Sequence, residues 1–156
     1  MSNTAMQRSA PAQALYEGLE ELPSSKRFTR EQLETIYALA YAHLAQGQYG
    51  QALPLLAFLA QYGPTKRQYL YGLALSLQML NHLDEAIGMY SLCAVLYPDA
   101  HEAVQRIAQC HVSAGRPEAA RLALNDLLEE ARAAGDAGLE EKVRGMMDRI
   151  EAHAGA

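Results

Sequence analysis

Tryptophan is absent from these 156 residues, cysteine and phenylalanine occur twice each, and Lys and Arg never cluster beyond pairs. Each scarcity excludes something. Cys93 and Cys110 have neither the density nor the spacing of a disulfide scaffold, so reduced, buried thiols are expected. A formal charge of -5, with nothing more basic than Lys26-Arg27 and Lys66-Arg67, opposes binding to a phosphate backbone, and no nucleic-acid partner is expected. The apolar run Leu53–Ala60 is far too short to span a bilayer and contains Pro54. The first residues, MSNTAMQRSAPAQ, lack the basic start and apolar run of a secretory leader. A cytosolic protein with no membrane segment is the expectation.

Catalytic chemistry is missing as well. His43, His82, His101, His111 and His153 have no ligand-spaced partners, so no metal is expected. Gly63-Pro64-Thr65-Lys66 lacks the upstream glycine and the length of a phosphate loop, and no serine sits in a nucleophile elbow. The chain reads as a non-enzyme without a cofactor.

What is present is a period. Ala52, Ala86 and Ala120 stand 34 residues apart, as do Leu39, Leu73 and Ile107, and the small residues Ala40, Ala74 and Ala108 that follow them. Pro64 and Pro98 close two segments, and Gly47 and Gly115 turn the chain in the first and third. Two antiparallel helices approach closely only where one presents a small side chain, and the next repeat needs the same hole. A 34-residue helix-turn-helix period with this punctuation is the tetratricopeptide (TPR) signature. The fold class is therefore all-α: three TPR hairpins in a right-handed superhelix, an N-terminal helix and a C-terminal capping helix.

The boundaries follow from caps and turns. Residues 1–28 hold an unpatterned start, unstructured to about residue 11, and a short helix. Residues 29–134 hold the repeats, at about 33–66, 67–100 and 101–134. Thr29 with Gln32, Thr65 with Gln68 and Asp99 with Glu102 offer helix starts. Residues 135–156 form the cap and tail, with Leu139, Val143, Met146, Met147 and Ile150 on one helical face. In the N-terminal helix Leu15, Leu19 and Leu22, with Tyr16 beside them, form a stripe with no assigned core, and self-association into a homodimer is expected there.

Charge is uneven. Between Glu34 and Asp84 only Lys66 and Arg67 are charged, the rest of the surface being left to Tyr, Gln, His, Leu and Gly, which implies an exposed apolar face. In a TPR the inner helix presents repeat positions 5, 9, 12 and 13. These are Tyr37, Tyr41, Leu44 and Ala45 in the first repeat and Tyr71, Leu75, Gln78 and Met79 in the second. Tyr37 and Tyr41 are one helical turn apart and Tyr71 is one repeat on, so the three rings are expected to form one patch suited to an extended peptide. Inter-repeat core or a dimer seam is the alternative use of the same rings. Repeat three offers a more polar set, Gln105, Gln109, Val112 and Ser113. Tyr49, Leu56 and Met89 are secondary candidates.

The runs LETIYALAYAHLAQGQYGQALPLL, YLYGLALSLQMLNHLDEAIGMYSLCAVLYP and IAQCHVSAGRPEAARLAL resemble the class II chaperones of bacterial type III secretion over about residues 28–125. The likeness lies in Tyr37 to Tyr41, Gly47 to Tyr49, Gly72 to Gln78 and Ala108 to His111. It implies a bacterial cytoplasmic protein that holds a hydrophobic secreted translocator, or a related needle or tip subunit, in a concave groove, and that dimerises when free of client. It also implies groove roles for Tyr37, Tyr41 and Tyr49, with Leu44 and Leu56 where the family carries rings. The rival reading is a TPR scaffold or regulatory subunit joining two folded proteins. A scaffold that captures a charged C-terminus would carry Lys and Arg where this chain has Tyr, Leu and Gln.

Overall fold

The computed structural model describes residues 7–155, which form eight α-helices and one 3-10 turn, with no strand among them. In order they are α1 (Ala10–Glu21), the 3-10 turn (Pro23–Lys26), α2 (Arg30–Ala45), α3 (Tyr49–Tyr62), α4 (Arg67–Met79), α5 (Leu83–Leu96), α6 (His101–Ser113), α7 (Pro117–Ala134) and α8 (Ala137–Ala154). Of the unstructured start expected to about residue 11, residues 1–6 lie outside the described residues. The chain is already helical from Ala10, where the Ser9 hydroxyl accepts from the Ala12 N–H and Pro11 fits the first turn.

The 34-residue period is a packing period. Ala40, Ala74 and Ala108 are buried, as are Ala52, Ala86 and Ala120, where α2 meets α3, α4 meets α5 and α6 meets α7. Four residues after the second set come Leu56, Tyr90 and Leu124, and three further come Leu59, Cys93 and Leu127, all buried. The small residues let each helix pair close, and the larger ones fill the layer beside them. Leu39 departs from its series: Leu73 is buried, but Leu39 is exposed because no earlier hairpin covers the first.

The turns repeat too. Gly47 (φ 70°), Asn81 (φ 65°) and Gly115 (φ 75°) take the left-handed conformation at the same place in each hairpin. Glycine does this freely and asparagine tolerates it. The next residue in each case, Gln48, His82 or Arg116, donates its N–H to the carbonyl five back at 2.8 Å, closing the helix end.

Of the expected helix starts, the cap at Thr29 holds and the one at Thr65 does not. Thr29 and Gln32 form a reciprocal cap, with bonds of 3.1 and 2.9 Å. Thr65 caps nothing; it is buried and its hydroxyl donates to the Glu20 carboxylate. Asp99 receives the Arg67 guanidinium at 3.1 Å.

The chain divides into two compact units, Met1–Ala100 and His101–Ala156. In the first, α3 packs on α4 to join the two hairpins, and α1 lies against α5. Arg8 donates to the Leu96 carbonyl and stacks on the Tyr16 ring 3.9 Å away, while the Tyr97 hydroxyl donates to the Thr65 carbonyl. The α1 stripe was expected to lack any core. It has one on this chain, because Ala12 is buried; Leu15 and Leu22 remain open at 41% and 43% exposure, and Tyr16 and Leu19 are half-buried. In the second unit α8 packs on α7 over a core of Ala108, Leu124, Leu127, Val143, Met146 and Ile150. Cys93 and Cys110 are buried, each in its own unit, and burial pushes both thiols above their ordinary pKa.

Candidate functional site

α2 and α4 are neighbours within the first unit, so the inner helices of the first two repeats lie side by side. The residues nominated on these two helices differ in exposure. Tyr41 is 59% exposed and Met79 47%, while Tyr37, Leu44, Tyr71, Leu75 and Gln78 are half-buried. Tyr49, at the start of α3, is half-buried as well. Leu56 is withdrawn from any surface: it is fully buried, and its Cδ2 would lie 3.0 Å from a Cβ added at Gly72. It shares its repeat position with the buried Tyr90 and Leu124, which is why it serves packing.

The ring contacts run from Tyr41 to Tyr37 (6.1 Å) and on to Tyr69 (5.3 Å), and from Tyr71 to Tyr90 (5.5 Å). Tyr37 and Tyr71 thus lean on the buried Tyr69 and Tyr90, and Tyr41 leans on Tyr37, which restricts their rotamers before any ligand arrives. The buried rings are anchored in turn. Tyr69 donates its hydroxyl to Glu34 Oε1 at 3.1 Å, and Tyr90 donates to Gln78 Oε1 at 2.8 Å. Burial, with Tyr41 and Glu34 adding to it, pushes the Tyr37 hydroxyl up, and burial beside Glu34 pushes Tyr69 up to about 12. Both hydroxyls are therefore neutral donors at physiological pH.

Charge is scarce where this face is built. Of Lys66 and Arg67, the two charged residues between Glu34 and Asp84, Arg67 is paired with Asp99. The surface offers rings, aliphatic side chains and one amide, which suit an apolar segment with few charges. Among the described residues no three His, Cys, Asp or Glu side chains group as metal ligands, and no helix is long and apolar enough to cross a membrane.

One supporting residue escapes the sequence pattern. Tyr69 has no aromatic counterpart in the other repeats, whereas Tyr90 sits on the core register and was legible by it. Gln78 is nominated as a contact and also holds Tyr90. A further ring cluster, Phe28 with Phe58 and Tyr62 at 4.6–5.4 Å, ties the segment before α2 to α3. Nothing periodic announces it.

A tetratricopeptide-repeat family model matches residues 33–65 and 68–99. No curated protein matches the chain. Among solved structures, PcrH of Pseudomonas aeruginosa, seen in complex with the chaperone-binding region of PopD, aligns with TM-score 0.72 and 21% identity, covering 82% of this chain and 97% of that one. SycD of Yersinia enterocolitica, a type III secretion chaperone bound to a peptide of the translocator YopD, aligns at 0.70 and 21%, covering 82% and 98%. A type III secretion complex from Aeromonas hydrophila aligns at 0.74 and 19%, covering 94% and 98%. The all-helical repeat fold of this chain is the fold of those translocator chaperones.

Proposed function

We propose that this chain is a bacterial cytoplasmic chaperone of type III secretion. It binds a hydrophobic translocator, or a related export substrate, as an extended segment in the concave face of its repeats and keeps it soluble for export. The observation that carries the reading is the α2–α4 face: Tyr41 and Met79 stand open on inner helices in a nearly uncharged stretch, with Tyr41 braced through Tyr37 on the buried Tyr69. The translocator segments bound by PcrH and SycD supply the client class by analogy of fold. No catalysis is required. By covering an apolar segment the chaperone lowers the free concentration of the aggregating form through mass action. Burial of about 500 Å² of client surface provides on the order of 12 kcal/mol gross, most of it offset by ordering the peptide. In the absence of client the chain forms a homodimer through the open leucines of α1.

Co-expression with a translocator, reading the soluble fraction, tests the assignment. Tyr41→Ala should weaken binding by about 2 kcal/mol or more, and Tyr41→Ala/Tyr71→Ala should leave the client insoluble while unfolding near the parent. Leu56→Ala, the folding control, should lose about 2–5 kcal/mol of stability. A double variant that folds and still keeps the client soluble would move the site off this face, and one that does not fold would make Tyr71 a core residue.

A further inference from the structure

The second unit holds a cleft of about 480 Å³ between α6 and α8, a volume in the range of sites that enclose a ligand. Its apolar lining comes from Val112, Pro117, Met146 and Ile150, and its polar rim from Gln109, Ser113, Arg149 and His153. No Asp or Glu lines it, although the chain carries 18 acidic residues against 13 Lys and Arg. The basic groups of the wall are also left without acids of their own. The residues three and four positions from Arg149 along α8 are Gly145, Met146, Ala152 and His153, none of them acidic. The ion pairs that involve α8 join Glu140 to Arg132 and Arg144, and none engages Arg149 among the described residues. His153 donates through Nδ1 to the Arg149 carbonyl at 2.9 Å.

From this juxtaposition we infer that the α6–α8 cleft is a second recognition site, for a partner segment in which apolar side chains alternate with Asp or Glu. The apolar side chains enter between Val112 and Ile150, and a flanking carboxylate meets Arg149, with Gln109 and Ser113 as hydrogen-bond donors to the peptide. An arginine opposite a carboxylate forms charge-assisted bonds, and complementary charge at the rim fixes the register of the segment. Gln109, Val112 and Ser113 are the repeat-three counterparts of the inner positions on α2 and α4, but the chemistry differs in kind from the rings and near-absence of charge there, and the site does not depend on the client assigned to that face.

The test is fluorescence anisotropy of the full chain with a fluorescein-labelled, end-capped peptide of alternating Leu and Asp. Peptides of Leu with Lys and of Ser with Asp serve as the charge-reversed and apolar-free probes. The Leu/Asp peptide should bind, each counterpart should bind about tenfold more weakly or worse, and Arg149→Gln or Val112→Gln should weaken the Leu/Asp peptide by about tenfold. Arg149→Lys should recover most of the affinity, and Tyr41→Ala should leave it unchanged. Circular dichroism confirms that each variant keeps its helices. Equal binding of the Leu/Lys peptide, or parental binding by both cleft variants, overturns the inference. So does loss of the peptide on Tyr41→Ala, which would place it on the α2–α4 face. Concentration-dependent dimers that Arg149→Gln dissociates would make a second copy of the chain the occupant and overturn it equally.

Discussion

Tyr69 shows how one side chain ties stability to pH. Its ring is buried against Tyr37 and its hydroxyl donates to Glu34, so the neutral form is favoured and its pKa is pushed from the ordinary 10.0 to about 12. In the unfolded chain the hydroxyl loses its proton first. The stabilisation is therefore complete below the unfolded pKa and is lost as pH rises through the folded one, between pH 10.0 and about 12. Urea unfolding across that window should show the parent losing stability more steeply than Tyr69→Phe; parallel slopes would mean that the hydroxyl is not buried. Tyr69 was hidden in the sequence for a local reason. Its repeat counterparts are Thr35 and Ala103, and the room for its ring comes from Gly63, where an added Cβ would sit 2.9 Å from that ring. The counterpart of Gly63 one repeat on is Tyr97, so no period marks the exchange of a glycine for space. Leu56 and Tyr90 could be assigned to the core from their register alone.

Among the elements, the hairpins follow from spacing and α1 does not. Gly47, Asn81 and Gly115 fix each turn because a left-handed residue is needed there, and the buried alanines fix which helix faces meet. For α1 the sequence offers only an apolar stripe, and an amphipathic helix does not say what covers it. Its docking uses groups no pattern flags: Arg8 donates to the Leu96 carbonyl of α5, and Thr65, before α4, donates to Glu20 while its own carbonyl accepts from Tyr97. Docking buries Ala12 and still leaves Leu15 and Leu22 open, so the proposed homodimer has these two side chains to use as its seam. Leu15→Glu/Leu22→Glu should convert a client-free dimer to monomer in light scattering with helix content unchanged, since neither side chain is in the core. The same dimer mass in parent and variant would put the seam elsewhere.

At the scale of the molecule, the uneven distribution of charge sets the two proposed sites apart in chemistry. The stretch from Glu34 to Asp84 holds two charged residues between its ends, whereas α6 to α8 alternate acids and bases as an ordinary surface does. An apolar client on α2 and α4 has little Coulomb energy to lose to salt, and its binding should carry the negative heat-capacity change of buried apolar surface. A carboxylate held by Arg149 lies at a rim reached by ions and is screened within a Debye length of about 10 Å at 0.1 M salt. Calorimetry with a translocator segment, at several temperatures and from about 0.05 to about 0.5 M salt, should therefore give a negative heat-capacity change and an affinity that varies less than about threefold. The Leu/Asp peptide should weaken by about tenfold over the same range. A client affinity that collapses with salt would show that charge, not the tyrosine face, holds the client, and would shift its site toward the basic rim of the second unit.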